Sequence, residues 1–210
     1  MTSVERMYAL RKATEYVVKT GLLGDFVECG VWKGGSAMVI ALTLLEMGES
    51  NRRIFLYDTF EGMSKPTNAD YLISDKTAHA EYEWLKKSRQ DHSEWAFSPI
   101  NEVKVNLFST GYPEDNLVFI KGKVEDTIPK TMPSKIALLR LDTDWYESTK
   151  HELIHLYPLL VQNGVLILDD YGHWAGAKKA VDEYLTAKRV SILLNRVDKD
   201  GRIGVKCEKL

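Results

Sequence analysis

Acidic side chains stand directly after apolar runs at several points in the sequence, where they could act together in chemistry. Apolar runs of this kind are typical of parallel strands buried on both faces, and the carboxyl ends of parallel strands share one edge of a sheet. We therefore expect these carboxylates to converge on one crevice. The aspartates concerned are Asp58, Asp142, Asp144, Asp169 and Asp170.

A cluster of carboxylates needs either raised pKa values or a bound cation. Two carboxylates about 4 Å apart repel each other by roughly 4 kcal/mol at an effective dielectric constant of 20. A single aspartate at such a turn is commonly just a helix cap, but two close pairs, 142/144 and 169/170, fit that explanation poorly. An all-oxygen ligand set selects magnesium, calcium or manganese over zinc. The pattern favours a divalent metal site.

A glycine-rich turn, FVECGVWKGGS over residues 26–36, joins a short apolar run to a helical pattern. Glycines here let the backbone approach a ligand closely, although a purely structural turn is the alternative. The spacing does not match the dinucleotide pattern G-x-G-x-x-G, and Ser36 stands where a P-loop has its lysine. A ligand with a positive charge near Glu28 and a ribose suits the turn better. S-adenosylmethionine is such a ligand.

The order of helical and strand patterns predicts an α/β fold with a doubly wound sheet and helices on both faces. The last two strands flank a tight turn at residues 198–201, so they must be antiparallel. Five parallel strands followed by such a hairpin is the layout of class I methyltransferases. Strands are predicted at 26–29, 53–57, 117–120, 136–141, 165–168, 191–195 and 202–206, and helices within 1–20 and at 36–47, 100–108 and 177–187.

Residues 61–99 interrupt this alternation with a polar, aromatic-containing segment that is longer than a usual strand-to-helix connection. Insertions of this kind often serve as lids over a site, and a solvated helical insertion packed on the surface is the equal alternative. Just before the segment, Asp58 ends the second strand, where a carboxylate is well placed to accept hydrogen bonds from ribose hydroxyls.

A second motif, H-E-x-x-H at residues 151–155, matches the zinc-protease pattern. Its helical periodicity argues against that function. At about 100° per residue, Leu153, Leu156 and Leu160 form the apolar stripe of the helix, and the two histidines fall on the solvent side. His173, which follows the aspartate pair at 169–170, is a better candidate for a substrate contact. The alternative is that His173 lies in a turn and has no role in binding or catalysis.

Composition narrows the class of partner. The chain has 210 residues, 44% hydrophobic and 28% charged, with a formal net charge of −2, which predicts one globular domain over 1–210. This small net charge does not indicate binding to nucleic acid or to an anionic membrane. Two cysteines cannot build a disulfide scaffold, and no segment reads as a signal peptide or a membrane span. We expect a cytoplasmic protein with a small-molecule partner.

Four motifs make the sequence resemble the macrocin O-methyltransferases of the TylF and MycF type, which methylate sugar hydroxyls. The resemblance spans nearly the whole chain and rests on FVECGVWKGGS (26–36), YDTFEGM (57–63), LRLDTDWYEST (139–149) and LDDYG (168–172). It implies that magnesium is held by Asp142, Asp169 and Asp170, and that Asp144 is the general base. It implies S-adenosylmethionine held by Glu28, Gly30, Ser36 and Asp58, and we expect further contacts from Thr59, Gly122 and Asp142.

The expected reaction is in-line transfer of the sulfonium methyl group to one of two adjacent hydroxyls of a sugar, in a homo-oligomeric enzyme. A catechol-type acceptor is the main rival, because it also presents adjacent hydroxyls to a metal. A nicotinamide-dependent oxidoreductase and a non-catalytic cofactor-binding module remain open. The oxidoreductase would bind NAD, and the module would bind S-adenosylmethionine without a metal.

Overall fold

The computed structural model describes residues 2–89 and 93–207 and is built around one seven-stranded sheet. The strands run in the order β5-β2-β1-β6-β7-β9-β8, of which the first five are mutually parallel and the last two antiparallel. This confirms the predicted sheet. Its strands are β1 (Asp25–Cys29), β2 (Ile54–Asp58), β5 (Leu117–Lys121), β6 (Ile136–Leu141), β7 (Leu160–Leu168), β8 (Asn195–Arg196) and β9 (Arg202–Val205); β3 (Tyr71–Leu72) and β4 (Asp75–His79) pair separately.

Helices cover both faces of the sheet, because the central strands carry apolar side chains on both sides. One buried cluster joins α1, α2 and α4 to the sheet, and a second joins α5, α6 and α7 to the opposite face. Among the described residues, no helix combines the length and apolar character that crossing a bilayer requires. The helices are α1 (Val4–Lys19), α2 (Gly35–Glu46), α3 (Ala80–Lys87), α4 (Ile100–Phe108), α5 (Val124–Thr127), α6 (Tyr146–Leu156) and α7 (Ala175–Lys188).

Two strands differ from their predicted bounds by more than one residue. β7 begins at Leu160 rather than at 165, because Leu160 already pairs with Ile136 of β6 before a register shift. The first strand of the terminal hairpin is only two residues long, whereas 191–195 was predicted. The apolar side chains of that run, Ile192 and Leu194, pack against the core without joining the ladder.

The strand order reverses between β1 and β6, and this is the point at which doubly wound sheets bind their ligands. The segments that follow β1 and β6 leave the sheet side by side, since the Asp142 N–H donates to the Cys29 carbonyl at 2.9 Å. Gly30 (φ 83°) follows Cys29, and a Cβ there would lie 1.9 Å from the Asp142 carbonyl oxygen. The first glycine of the turn is therefore required by this close approach.

The segment 61–99 contains β3, β4 and α3, and its residues 90–92 lie outside the described part of the chain. It is fastened to the domain by Asp70, which is fully buried. The carboxylate of Asp70 accepts hydrogen bonds from the Tyr146 N–H at 2.8 Å and from Thr67, so it caps the start of α6. A Cβ on Gly176 would lie 1.9 Å from the same carboxylate, so α7 also packs closely against it.

Candidate active site

Two cavities meet at the edge of the sheet where β1, β2 and β6 end. We call the first the glycine-turn cavity. It is lined by five residues that were predicted to hold a cofactor, Gly30, Asp58, Thr59, Gly122 and Asp142. Its lining also includes Thr143 and Ser148. The second, the acidic cavity, has a volume of about 280 Å³. Its walls are Thr2, Arg6, Trp32, Trp95, Ala96, Asp142, Asp144, Asp169, Asp170, His173, Trp174 and Asp200.

Asp58 holds the glycine-rich turn in shape. Its Oδ2 accepts hydrogen bonds from the backbone N–H groups of Val31 at 2.7 Å and Trp32 at 3.0 Å. Its Oδ1 accepts from the Phe60 N–H at 2.7 Å. Trp32 (φ 48°) and Phe60 (φ 52°) both have left-handed backbone conformations, which side chains other than glycine adopt only when the surroundings impose them. Asp58 thus orders two loops of the glycine-turn cavity at once.

Glu28 and Ser36 do not line the glycine-turn cavity. Glu28 lies in β1 and is 1% exposed, and burial raises the pKa of its carboxyl group to about 7. Its Oε1 accepts from the Arg140 guanidinium at 2.6 Å, while its Oε2 has no hydrogen-bond partner among the described residues. Ser36 is buried in the first turn of α2. Both side chains are therefore buried in the fold and do not face the cavity.

Three carboxylates of the acidic cavity are arranged as metal ligands would be. Asp142, Asp169 and Asp170 each offer an oxygen, and these atoms lie within 4.8 Å of one another. Burial raises the pKa values of Asp142 and Asp170 well above their usual range, and neighbouring carboxylates add to the shift. A bound divalent cation would favour the ionised forms, and an all-oxygen set of this size suits magnesium. The residues present therefore fit the predicted ion.

Arg140 is the charged centre beneath this cluster. It is buried in the middle of the sheet and pairs with Glu28 at 2.6 Å, with Asp142 at 2.8 Å and with Asp169 at 2.7 Å. The Glu28 contact follows from the register, because Glu28 and Arg140 are direct partners in adjacent strands. In the sequence Arg140 stands within the apolar run 136–141. A single arginine inside such a run was the available signal.

Arg6 connects α1 and the turn at residues 198–201 to the aspartate cluster. From α1 its guanidinium contacts Asp169, and it also pairs with Asp198 at 2.8 Å and Asp200 at 3.5 Å in the turn before β9. Asp169 therefore accepts hydrogen bonds from two arginines, one through each carboxylate oxygen. Nothing in the helical pattern of residues 1–20 indicated this contact.

Asp144 projects into the acidic cavity from a left-handed backbone conformation (φ 66°). Its Oδ1 accepts from the indole N–H of Trp174 at 2.7 Å, and its backbone N–H donates to Asp170 Oδ2 at 3.1 Å. Burial raises the pKa of Asp144 to about 6. A carboxylate with a pKa near the operating pH and a fixed orientation is suited to accept a proton.

Comparison with known proteins identifies the chain. The family model described as macrocin O-methyltransferase (TylF) matches residues 1–204. The chain belongs to the macrocin O-methyltransferase family. It is therefore an S-adenosylmethionine-dependent O-methyltransferase with a class I methyltransferase fold, as the sequence motifs implied.

Relatives of this macrocin O-methyltransferase family member include O-methyltransferases that are named for natural-product substrates, one of which carries a rhamnosyl group. An 8-demethyl-8-(2,3-dimethoxy-alpha-L-rhamnosyl)-tetracenomycin-C 4'-O-methyltransferase of Streptomyces olivaceus is 32% identical over 201 residues, which are 96% of this chain and 73% of the relative. The mycinamicin III 3''-O-methyltransferase of Micromonospora griseorubida is 28% identical, with 96% and 76% covered. The structure of the O-methyltransferase NovP is 29% identical, with a TM-score of 0.83 over 98% of this chain and 81% of NovP.

The H-E-x-x-H segment of this family member does not form a zinc site. Both histidines are half-buried on α6. Their ring centroids lie 4.5 Å apart with the ring planes tilted by 50°, and His151 Nε2 lies 3.0 Å from the Ile128 carbonyl oxygen. Glu152 points elsewhere, into the core, and the metal-like cluster among the described residues is the aspartate one. His173 lines the acidic cavity 3.7 Å from Asp200.

Proposed function

We propose that the protein transfers the methyl group of S-adenosylmethionine to a hydroxyl of a sugar or sugar-bearing small molecule, and that the reaction depends on Mg²⁺. One observation carries the proposal. Asp142 belongs to the walls of both cavities, so a donor in the glycine-turn cavity and an acceptor in the acidic cavity would meet beside it. Three carboxylates with the chemistry of a magnesium site are gathered at the same place.

The donor would be held mainly by Gly30, Asp58, Thr59, Gly122 and Asp142, which line the glycine-turn cavity. Asp58 still has lone pairs that could accept from ribose hydroxyls while it orders the turn. Glu28 and Ser36 do not line this cavity, and Glu28 pairs with the buried Arg140.

Asp142, Asp169 and Asp170 would hold the magnesium ion. When bound, the ion would acidify a hydroxyl that it coordinates. Asp144 accepts the hydroxyl proton, and the Trp174 indole keeps its carboxylate oriented. In the transfer, the bond between sulfur and the methyl carbon breaks, the bond between oxygen and that carbon forms, and S-adenosylhomocysteine leaves. The protein's main contribution is to hold the oxygen, carbon and sulfur in line.

The acceptor side favours a sugar. Trp32 and Trp95 lie in the walls of the acidic cavity, and Trp32 is 39% exposed there. Indole faces are broad and amphipathic, so they suit a ring that is apolar on its face and polar at its rim. One relative is named for a rhamnosyl-bearing substrate, which supports the same class. A catechol also offers adjacent hydroxyls and remains the rival acceptor.

A direct test measures S-adenosylhomocysteine release by mass spectrometry with methyl α-L-rhamnoside, a rhamnosylated aromatic polyketide and catechol as acceptors. We expect turnover with a glycoside, its loss with EDTA and its return with Mg²⁺. Turnover with catechol alone would reassign the acceptor, and turnover unchanged by EDTA would reject the metal. Stabilisation by NAD rather than by S-adenosylmethionine in a thermal shift assay would contradict the whole assignment.

We also propose that residues 1–210 act as a single domain in the cytoplasm, with the segment 61–99 as its lid and with α1 in a homo-oligomer contact. Val4 is 81% and Tyr8 is 63% exposed on α1, which supports a contact there. Light scattering coupled to gel filtration would decide the oligomeric state. A monomer at micromolar concentration would remove the proposed contact.

A further inference from the structure

Glu152 is a buried acid to which the proposed reaction gives no role. It lies in the middle of α6 and is 0% exposed, whereas Glu147 on the same helix faces solvent. Burial raises the pKa of Glu152 well above its usual range, and the charges of Glu125 and Asp142 add to the shift against the opposing hydrogen bond from Thr143. A buried polar group of this kind is costly unless its hydrogen bonds serve the fold or the site.

The hydrogen bond of Glu152 leads directly to the site. Its Oε1 accepts from the Thr143 hydroxyl at 2.9 Å. Thr143 lines the glycine-turn cavity and stands between Asp142 and Asp144 in the chain. The Thr143 carbonyl in turn accepts from the Trp145 N–H at 2.7 Å.

The turn that Thr143 occupies is under conformational constraint. Asp144, the next residue, has a positive φ of 66°, a conformation that a residue other than glycine keeps only when its neighbours hold it. The Ser148 hydroxyl also donates to the Thr143 carbonyl, at 3.3 Å. Thr143 is thus held from α6 through both its side chain and its carbonyl, and the proposed metal ligand and proton acceptor lie on either side of it.

We propose that Glu152 is a positioning residue for methyl transfer, which holds Thr143 from within the core and thereby sets the positions of Asp142 and Asp144. This assigns a task to the central residue of the H-E-x-x-H segment that has nothing to do with zinc. The inference rests on the proposed function for the effects on turnover and Mg²⁺ affinity. Its effect on the shape of the turn is independent of that function.

The test compares Glu152→Leu, Glu152→Gln, Thr143→Val and the Leu/Val double variant, with Glu147→Leu as a matched control on the exposed side of α6. Three quantities are measured: kcat and KM, the Mg²⁺ dissociation constant by calorimetry on protein saturated with S-adenosylhomocysteine, and amide hydrogen exchange of residues 142–146. If Glu152→Leu does not fold, Thr143→Val breaks the same hydrogen bond from the cavity side.

We expect Glu152→Leu and Thr143→Val each to weaken Mg²⁺ binding and lower kcat by about 10- to 100-fold, the usual effect of losing a residue that orients a metal ligand. Exchange at 142–146 should become faster. The KM for S-adenosylmethionine should change less than kcat, because the other donor-cavity residues, Gly30, Asp58, Thr59 and Gly122, are outside this turn. The double variant should be no worse than either single variant, because both remove one interaction. Glu152→Gln should resemble the wild type, since a neutral amide oxygen can accept the same hydrogen bond.

Wild-type values of kcat, Mg²⁺ affinity and exchange in both Glu152→Leu and Thr143→Val would overturn the inference. A Glu152→Gln variant as impaired as Glu152→Leu would also overturn it, because the hydrogen bond alone would then not be the cause. A wild-type protein that neither turns over nor binds Mg²⁺ would instead refute the proposed function. In that case the exchange rates at 142–146 still decide whether Glu152 holds the turn.

Discussion

The glycine-turn cavity and the acidic cavity share Asp142 but are built from different materials. The first is shaped by loop backbone, with glycines where the chain must come close and one carboxylate, Asp58, that binds N–H groups. The second is shaped by charged and aromatic side chains from segments far apart in the sequence, from Arg6 to Asp200. A cavity shaped by backbone suits a ligand that is always the same, such as the methyl donor. A side-chain cavity can be altered by substitution without disturbing the sheet, which suits acceptors that differ among relatives.

The comparison predicts that chemistry is lost from the acidic cavity and binding from the glycine-turn cavity. The largest expected effect is that of Asp144→Asn. It removes the proposed proton acceptor while keeping the shape of the side chain, so kcat should fall by about 10²- to 10⁴-fold. Calorimetry should show nearly unchanged affinity for Mg²⁺ and S-adenosylhomocysteine. A variant with wild-type kcat would show that Asp144 is not the base.

Arg140, the charged centre beneath the aspartate cluster, should contribute most to stability. Arg140→Met leaves the buried carboxylate of Glu28 without its partner and takes one of two arginines from Asp169, and breaking a buried ion pair in this way costs about 3–5 kcal/mol of unfolding free energy. Adding Glu28→Gln should recover part of that loss, because one uncompensated charge is removed. Urea unfolding measures both variants.

Arg53→Met is the matched control for this experiment. Arg53 pairs with Asp25 at the opposite end of the strands, and its side chain is 48% exposed. Its substitution should change the unfolding free energy far less. Equal losses for Arg140→Met and Arg53→Met would show that the buried network does not stabilise the fold.

The glycine-turn cavity should respond to Asp58→Ala through donor affinity. This change removes acceptors for three backbone N–H groups of the two loops. At about 1.5–3 kcal/mol for hydrogen bonds to a charged group, S-adenosylhomocysteine binding should weaken by about 10- to 150-fold. Asp75→Ala is the control, since Asp75 is exposed and its carboxylate accepts local hydrogen bonds from Thr77. Equal affinities for both variants would remove Asp58 from the account of this cavity.

The smallest expected effect separates two arginines of α1. Arg6 is largely buried and contacts Asp169 and Asp198, so Arg6→Gln should lower the unfolding free energy by about 1.5 kcal/mol. Arg11 pairs with Glu46 at the surface, where salt bridges contribute little. Thermal unfolding should therefore distinguish Arg6→Gln from Arg11→Gln. Identical melting temperatures for the two variants would show that Arg6 does not fasten the chain's ends to the acidic cavity.

The sheet and its acidic edge were predictable because they depend on local patterns. Apolar runs ending in aspartate mark strands and their carboxyl ends, and the short turn at 198–201 requires an antiparallel hairpin. The bounds of β8 were not predictable in this way. The run 191–194 has a strand-like composition, but Ile192 and Leu194 pack against the core without extending the sheet.

The partners of the buried charges could not be predicted from the sequence. Arg140 meets Glu28 only because β1 and β6 are neighbours in a particular register, and Arg6 meets Asp169 only after both ends of the chain have packed. The periodicity of α6 correctly placed Leu153 and Leu156 in the core, yet it could not reveal that Glu152 reaches Thr143. Long-range pairing of this kind follows from the assembled fold rather than from local sequence.

The most direct test of the account is calorimetric titration of Mg²⁺ into the protein saturated with S-adenosylhomocysteine. We predict one Mg²⁺ site per chain in the wild type and its loss in Asp142→Ala, with S-adenosylhomocysteine still bound by the variant. Absence of Mg²⁺ binding in the wild type, or unchanged binding in Asp142→Ala, would contradict the claim that these carboxylates meet around one divalent ion beside the methyl donor.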